Sequence, residues 1–170
     1  AYTDYNGMME LAEDLISRCC VAVNDTTKIT YQGRDIDLTP PFKRLTMNEA
    51  VRQVTGADFY ACATDEEARA LARSLKLEVK DKLATRGKLL AEAFDVFVEE
   101  TLIQPTFIID YPVEISPLSK RKPSAPYLTE RFELFIAGHE FANAFSELND
   151  PVDQRGRFVQ QAQERLKGDD

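Results

Sequence analysis

The sequence predicts an α+β protein: part of an antiparallel sheet with helices packed on it, and a block of helices inserted among its strands. Three observations lead there. Residues 131–137 set Phe132, Leu134 and Ile136 against Arg131, Glu133 and Phe135, the period of a strand. Two short runs, 28–31 and 35–38, flank Gln32-Gly33-Arg34 as a hairpin with a glycine in its turn. Between residues 58 and 102 the apolar residues instead recur at helical spacing, with charge on the other faces. Helices are expected to outnumber strands.

The elements follow in order. Residues 5–23 read as an amphipathic helix with Met8, Leu11, Leu15, Cys19 and Val23 on one stripe, Asp4 as its cap and Gly7 weakening its first turn. Asp25-Thr26-Thr27 is a turn, and Thr39-Pro40-Pro41 ends the hairpin beyond it. Thr46 with Glu49 is a capping box for a helix carrying Met47, Ala50, Val51 and Val54, which stops near Gly56. Thr64 with Glu67 is a second box, followed by Ala68, Leu71, Ala72 and Leu75. After a charged link at 78–82, a long pattern runs through Leu90, Ala93, Phe94, Phe97, Val98 and Thr101, with Gly87 as a point of interruption.

Gln104-Pro105 breaks the helical block. Thr106 to Ile109 is a short buried strand closed by Asp110-Tyr111-Pro112, and residues 116–126 are a proline- and serine-containing loop bearing Lys120-Arg121-Lys122. That cluster reads as a solvated loop or as an attractor of phosphates. Residues 141–148 form a second strand beside 131–137. Asp150 then caps a helix with Pro151 first and Asp153 in its first turn. Val159, Ala162 and Leu166 make its apolar stripe, and Gly168 is a stop signal.

Composition narrows the classes. A length of 170 residues, 44% hydrophobic and 29% charged, suits one soluble domain with a sizeable core. The net charge of −8, from 29 acidic and 21 basic residues, argues against broad non-specific nucleic-acid binding but leaves a local basic patch free to touch a nucleic acid. No apolar run approaches the roughly 20 residues of a membrane span, and the polar, aromatic start is unlike a signal peptide. Cys19, Cys20 and Cys62 have no CxxC spacing and read as reduced thiols in a cytoplasmic setting. His139, the only histidine, has no partner histidine or neighbouring nucleophile in its pattern and reads as a surface residue. Ser146 lacks a GxSxG context, and no phosphate-cradling glycine loop is present.

Residues 131–151 organise the chain, because Glu133, Glu140 and Glu147 sit in segments apolar enough to be sheet core. A buried carboxylate needs a cation or hydrogen bonds, so the three suggest a site for a metal or an ammonium group. The pattern alone favours the plainer reading, acids solvated on an open sheet face. Positions 143, 145 and 147 alternate, which on a strand puts Asn143, Phe145 and Glu147 on one side. Glu140 breaks that parity with Asn143, so a bulge or twist is required if both face the site.

The letters themselves carry more. Asn-Ala-Phe-Ser-Glu-Leu-Asn-Asp-Pro, residues 143–151, closely resembles the signature of class II lysyl-tRNA synthetases between their second and third class motifs. Ala1-Tyr2-Thr3-Asp4-Tyr5, Pro40-Pro41-Phe42 with Leu45-Thr46, Gln104-Pro105-Thr106-Phe107, Tyr111-Pro112, Ser116-Pro117-Leu118 and Lys167-Gly168-Asp169-Asp170 follow in family order. The resemblance covers essentially the whole chain. It implies a partial class II synthetase sheet, with residues 1–45 and 104–170 belonging to the catalytic domain and 46–103 to a helical insertion within it.

The resemblance also implies roles. Glu133 and Glu140 match the acidic pair that binds Mg²⁺ and ATP. Asn143 and Phe145 match contacts to the lysine substrate, and Glu147 the acid aimed at its ε-ammonium. The expected reaction is ATP-dependent activation of L-lysine to lysyl-adenylate and transfer to tRNA-Lys, by a homodimeric cytoplasmic enzyme. It needs no general base, its catalysis being electrostatic and positional. In that family the class motifs supply the dimer interface and the arginines that grip ATP. None of these matches the present residues, nor does an anticodon-binding domain, so the segment alone is expected to be inactive. Two alternatives remain: the similar paralogue that lysylates elongation factor P, which typically departs from Phe-Ser-Glu-Leu-Asn-Asp, and a non-catalytic helical interaction module.

Overall fold

A computed structural model describes residues 3–79 and 84–165. In chain order its elements are α1 (Tyr5–Asn24), β1 (Lys28–Tyr31), β2 (Arg34–Asp37), β3 (Lys43–Thr46), α2 (Met47–Thr55), α3 (Asp65–Ser74), α4 (Arg86–Phe97), β4 (Thr106–Ile109), β5 (Arg121–Lys122), β6 (Ala125–Thr129), β7 (Arg131–Ile136), β8 (His139–Phe145) and α5 (Pro151–Arg165). Three short 3₁₀ turns lie at Phe59–Ala61, Glu99–Thr101 and Val113–Ile115. Among the described residues the eight strands outnumber the five α-helices, contrary to expectation, because several strands are only two to five residues long.

The central sheet has the order β3-β4-β7-β8. It is mixed: β3 runs parallel to β4, while β4–β7 and β7–β8 are antiparallel. The parallel strand β3 escapes a sequence reading because Lys43, Arg44 and Leu45 do not alternate as a half-buried strand does. Its register is set instead by the pairing of Lys43 with Thr106 and Leu45 with Ile108. The β1–β2 hairpin and the small β5–β6 hairpin lie outside this sheet.

Each face of the sheet carries its own core. Phe132, Leu134 and Ile136 join Phe107, Phe42, Ile36 and Leu38 against Met9 and Cys20 of α1. The opposite face contributes Ile108 and Phe135 to a larger core built by α2, α3 and α4, with Val51, Phe59, Leu89, Leu90 and Phe94 fully buried. The Phe94 ring meets Phe135 edge-on at 5.5 Å. The helices start where their caps predict: Thr46 and Glu49 form the full capping box of α2, and the Thr64 hydroxyl accepts the Glu67 N–H at the start of α3. Gly87 does not interrupt α4 but lies in its first turn after the Thr85 cap. Arg86 lies over the Tyr60 and Tyr127 rings, 5.2 and 5.8 Å from their centroids, tying this helical layer to β6.

Two helices turn the other way from expectation. Asp4 caps α1 as read, accepting the Asn6 and Gly7 N–H groups, but the stripe Met8, Leu11, Leu15, Cys19 and Val23 faces outward. The inward face is Met9, Glu13, Ser17 and Cys20. Glu13 can be buried because Arg44 of β3 meets it at 3.2 Å, and a paired acid occupies the place where an apolar residue was sought. In α5, Val159 is half exposed and Ala162 exposed, whereas Arg157 is buried. Leu166, Gly168 and the terminal Lys167-Gly168-Asp169-Asp170 lie outside the described residues. The α5 start agrees with its cap, since the Asp150 carboxylate accepts the Val152 and Asp153 N–H groups.

Candidate functional site

The candidate site grows out of the β7–β8 hairpin. Ala137 and Gly138 both have positive φ, 56° and 78°, the geometry of a tight two-residue hairpin turn that matches strand twist. Their N–H groups donate to the carbonyls of Ile103 and Leu102, both at 2.9 Å, so the turn is docked against the end of the helical layer. A Cβ on Gly138 would lie 3.3 Å from the Glu100 carbonyl oxygen. β7 ends at Ile136, just short of the expected 137, whereas β8 begins at His139, which is exposed, nearer the turn than the expected 141, and stops at Phe145 instead of 148.

Pairing across the hairpin runs Ile136 with His139, Phe135 with Glu140, Leu134 with Ala142, Glu133 with Asn143, and Arg131 with Phe145. Phe141 is skipped: β8 carries a bulge there. Directly paired residues share a face, so Arg131, Glu133, Glu140, Asn143 and Phe145 lie on one side of the sheet. The bulge reconciles the parity of Glu140 with that of Asn143, as the spacing required. Ala142 and Ala144 are turned to the other side, against the core under α1.

The centre of this face is a tight polar cluster. Both oxygens of Glu133 are engaged. Oε1 accepts from Arg131 Nη2 and, at 3.1 Å, from Asn143 Nδ2, and Oε2 accepts from the Tyr111 hydroxyl at 2.7 Å. Arg131 Nε donates to Asn143 Oδ1 at 3.3 Å, and its guanidinium lies 4.6 Å from the Tyr111 ring centroid. Its Nη1 donates to the Ile115 carbonyl and the Ser116 hydroxyl, at 3.1 and 3.0 Å. Burial raises the Glu133 carboxyl above the ordinary glutamate value, against the opposing pull of Tyr111 and Arg131, and the nearby Glu140 charge raises it further. Burial, with Glu133 beside it, pushes the Tyr111 hydroxyl well above the usual tyrosine range.

Of the three acids, Glu133 alone is half-buried. Glu140 and Glu147 are exposed, because β8 is an edge strand among the described residues and Glu147 lies beyond its last residue. Glu147 is placed by an antiparallel bridge to Ser119. Lys120 N donates to the Ser146 carbonyl at 2.8 Å and Leu148 N to the Leu118 carbonyl at 2.9 Å. Asn143 is exposed and Phe145 half-buried. The basic cluster is largely internal: Arg121 pairs with Asp153 at 3.0 Å and Lys122 with Asp110 at 2.5 Å, leaving Lys120 exposed. Tyr111, Arg131 and Arg157 were not singled out from the sequence. The signal for Arg131 was present, since it shares the parity of Glu133.

No group of three or more His, Cys, Asp or Glu side chains that could hold a metal occurs among the described residues. What the face offers is two carboxylates. Glu133 keeps limited free acceptor capacity after its three hydrogen bonds, and no hydrogen bond or ion pair engages the Glu140 carboxylate among the described residues. A pair of oxygen donors fits Mg²⁺, which prefers one or two carboxylates with water and phosphate completing its shell. No described helix is long and apolar enough to cross a membrane.

The chain matches the family model described as tRNA synthetases class II (D, K and N) over residues 1–169, and it belongs to that family. It is 56% identical over 170 residues to a lysine–tRNA ligase of Thermoanaerobacter pseudethanolicus, covering all of this chain and 34% of the ligase. It is 55% identical over 172 residues to a lysine–tRNA ligase of Clostridium acetobutylicum, covering 33% of that protein. To a lysine–tRNA ligase of Synechococcus it is 54% identical over 169 residues, 99% of this chain and 35% of the relative. The chain thus spans about a third of the length of the curated relatives it matches.

Proposed function

We propose that this segment forms part of the catalytic domain of a lysine–tRNA ligase, with residues 1–45 and 104–170 in its sheet scaffold and 46–103 as a helical insertion. The observation that carries the reading is the bulged hairpin, which gathers Glu133, Glu140, Asn143 and Phe145 on one sheet face, taken with identity to lysine–tRNA ligases over the whole chain. The enzyme is placed in the cytoplasm as a homodimer, with L-lysine, ATP and tRNA-Lys as its partners.

The proposed reaction forms a bond between a lysine carboxylate oxygen and the α-phosphorus of ATP as pyrophosphate leaves, and a tRNA hydroxyl then takes the lysyl group as an ester while AMP leaves. Both reactants are anions, so the site must align them and neutralise charge. Glu133 and Glu140 are the residues that would hold Mg²⁺, which when bound offsets the negative charge of the phosphate oxygens. Tyr111 and Arg131 fix the Glu133 carboxylate in position, and Asn143 is locked in the same network, its amide oriented before substrate arrives. Phe145 lines the slot for the substrate methylenes. Glu147 supplies the negative charge for the ε-ammonium, and an uncharged side chain in its place would leave that acid unpaired.

The test is lysine-dependent ATP–pyrophosphate exchange by a full-length chain carrying these residues. Glu147→Gln is expected to raise KM for lysine by on the order of 100-fold or more, with KM for ATP little changed. Absence of lysine-dependent exchange in the unmodified protein, or an unaltered lysine KM in the variant, would overturn the proposal.

A further inference from the structure

Glu147 belongs to no strand, so something other than the sheet ladder must fix it. The segment that does so is the connection from Ile115 to Lys120, whose backbone takes up residues 146–148 through the Ser119 bridge and the two flanking hydrogen bonds. This connection has no ladder of its own. Apart from its own Ser116–Ser119 turn and the Glu130 N–H on the Lys120 carbonyl, it is held by two guanidinium groups, one at each side. Arg131, already part of the Glu133 cluster, grips its start through the Ile115 carbonyl and the Ser116 hydroxyl. Arg157 of α5 grips the rest: its Nη1 donates to the carbonyls of Ser116, Pro117 and Ser119 at 3.1, 3.4 and 2.7 Å.

Arg157 is only 7% exposed, and its other nitrogens are committed to Asp153, Nε at 3.1 Å and Nη2 at 2.7 Å. Asp153 in turn accepts from Arg121. A charge of this kind is tolerated in the interior only because every side of it is met, and a planar fork is the shape that can meet a carboxylate on one edge and converging carbonyls on another. The chain therefore closes a ring. It leaves Glu147, enters α5 at Pro151, reaches Arg157 two turns later, and returns through the carbonyls of 116–119 to the Ser119 bridge that holds Glu147.

We propose that Arg157 is a positioning residue for the Glu147 carboxylate and so sets the enzyme's selectivity for a cationic side chain. This rests on the reading of Glu147 given above. Removing the guanidinium takes the donor from the Pro117 and Ser119 carbonyls and leaves Ser116 with the Ser119 N–H alone, and the bridge that orients Glu147 loosens. Glu133 and Glu140 sit on the β7–β8 ladder, and Glu133 keeps its hydrogen bonds from Tyr111, Asn143 and Arg131, of which Arg131 alone also touches the connection. The consequence is a defect that falls mainly on lysine.

The experiment measures pyrophosphate exchange with a full-length chain carrying Arg157→Met, Arg157→Lys or Glu147→Gln, beside the unmodified protein. Arg157→Met is expected to raise KM for lysine by about tenfold or more while KM for ATP changes by less than about threefold, and to narrow the preference for lysine over norleucine. Added guanidinium chloride at low millimolar concentration is expected to restore part of the lysine KM in this variant and to leave Glu147→Gln unaffected. Should Arg157→Met fail to fold, Arg157→Lys serves in its place. An ammonium cannot serve Asp153 and three carbonyls together, and a rise of about threefold or more in lysine KM is expected. Equal rises in the KM values for lysine and ATP, or no change in lysine KM while Glu147→Gln is impaired, overturn the inference alone. If Glu147→Gln is itself without effect, the reading of Glu147 falls and the inference falls with it.

Discussion

Single residues in this molecule are mostly held by opposite charges rather than by solvent. Asp153 is the clearest case. Hydrogen bonds from Arg157 and Arg121 hold its carboxyl far below the ordinary aspartate value. A carboxyl depressed in the folded state adds stability that is complete above its unfolded pKa of about 4 and is lost as pH falls below that toward the folded value. Asp153→Asn is therefore expected to be less stable than the unmodified protein at neutral pH. Its urea midpoint should also fall less steeply between about pH 4 and pH 2. Parallel slopes in the two proteins would show that Asp153 carries no such linkage. The same residue shows what sequence could reveal at this scale. As the first-turn acid of a helix it was legible from Asp-Pro-Val-Asp, and its i,i+4 spacing to Arg157 stands in the sequence, but the burial of that arginine was not legible, because the carbonyls that meet its other edge come from about 40 residues away.

At the scale of elements, turn chemistry and caps were legible and facing directions were not. The capping box at Thr46 and the Asp150-Pro151 entry are local, decided within four residues, and both stand where the letters put them. The alternation of 131–136 also held, because a half-buried strand has a period of two whatever surrounds it. The apolar stripes of α1 and α5 failed for one shared physical reason. In each, a charged residue with a dedicated partner, Glu13 or Arg157, took the inward place, and an apolar stripe does not register paired charge. The site followed the same division: the common face of 143 and 145 and the need for a bulge came from spacing, but Tyr111 and the loop at 116–119 come from outside the hairpin. Gly138 tests the turn. Its positive φ and the Glu100 carbonyl close by predict that Gly138→Ala costs about 1–2 kcal/mol, read as a lowered denaturant midpoint with unchanged slope. A neutral result would mean that the turn does not depend on glycine.

For the whole molecule the open question is the free edge of β8. Among the described residues the sheet ends there, and Phe141, at 58% exposure, stands on it. An unpaired edge with an exposed aromatic is a template for pairing with another chain. The 170-residue polypeptide by itself is expected to self-associate with concentration in sedimentation velocity, and Phe141→Lys to suppress that association. A monomer at all concentrations, or unchanged association in the lysine variant, would exclude this edge as the cause. The helical layer was legible as a block but not as a partner of the sheet. Its core is shared with Ile108 and Phe135, and such sharing depends on contacts far apart in sequence.

The bulge at Phe141 also sets how the hairpin tolerates changes in chain length. Deleting Phe141 leaves Glu140 opposite Phe135 and Ala142 opposite Leu134, so both faces keep their residues and only the local twist is lost. Inserting a residue beside it gives the strand two extra positions, and because side chains alternate with a period of two, the resulting two-residue slip keeps each residue on its face but carries Asn143 from opposite Glu133 to opposite Arg131. Either change of one residue therefore preserves the two faces, but only the deletion keeps Asn143 beside Glu133. Length variation among related chains is therefore expected to favour losses over gains at this position.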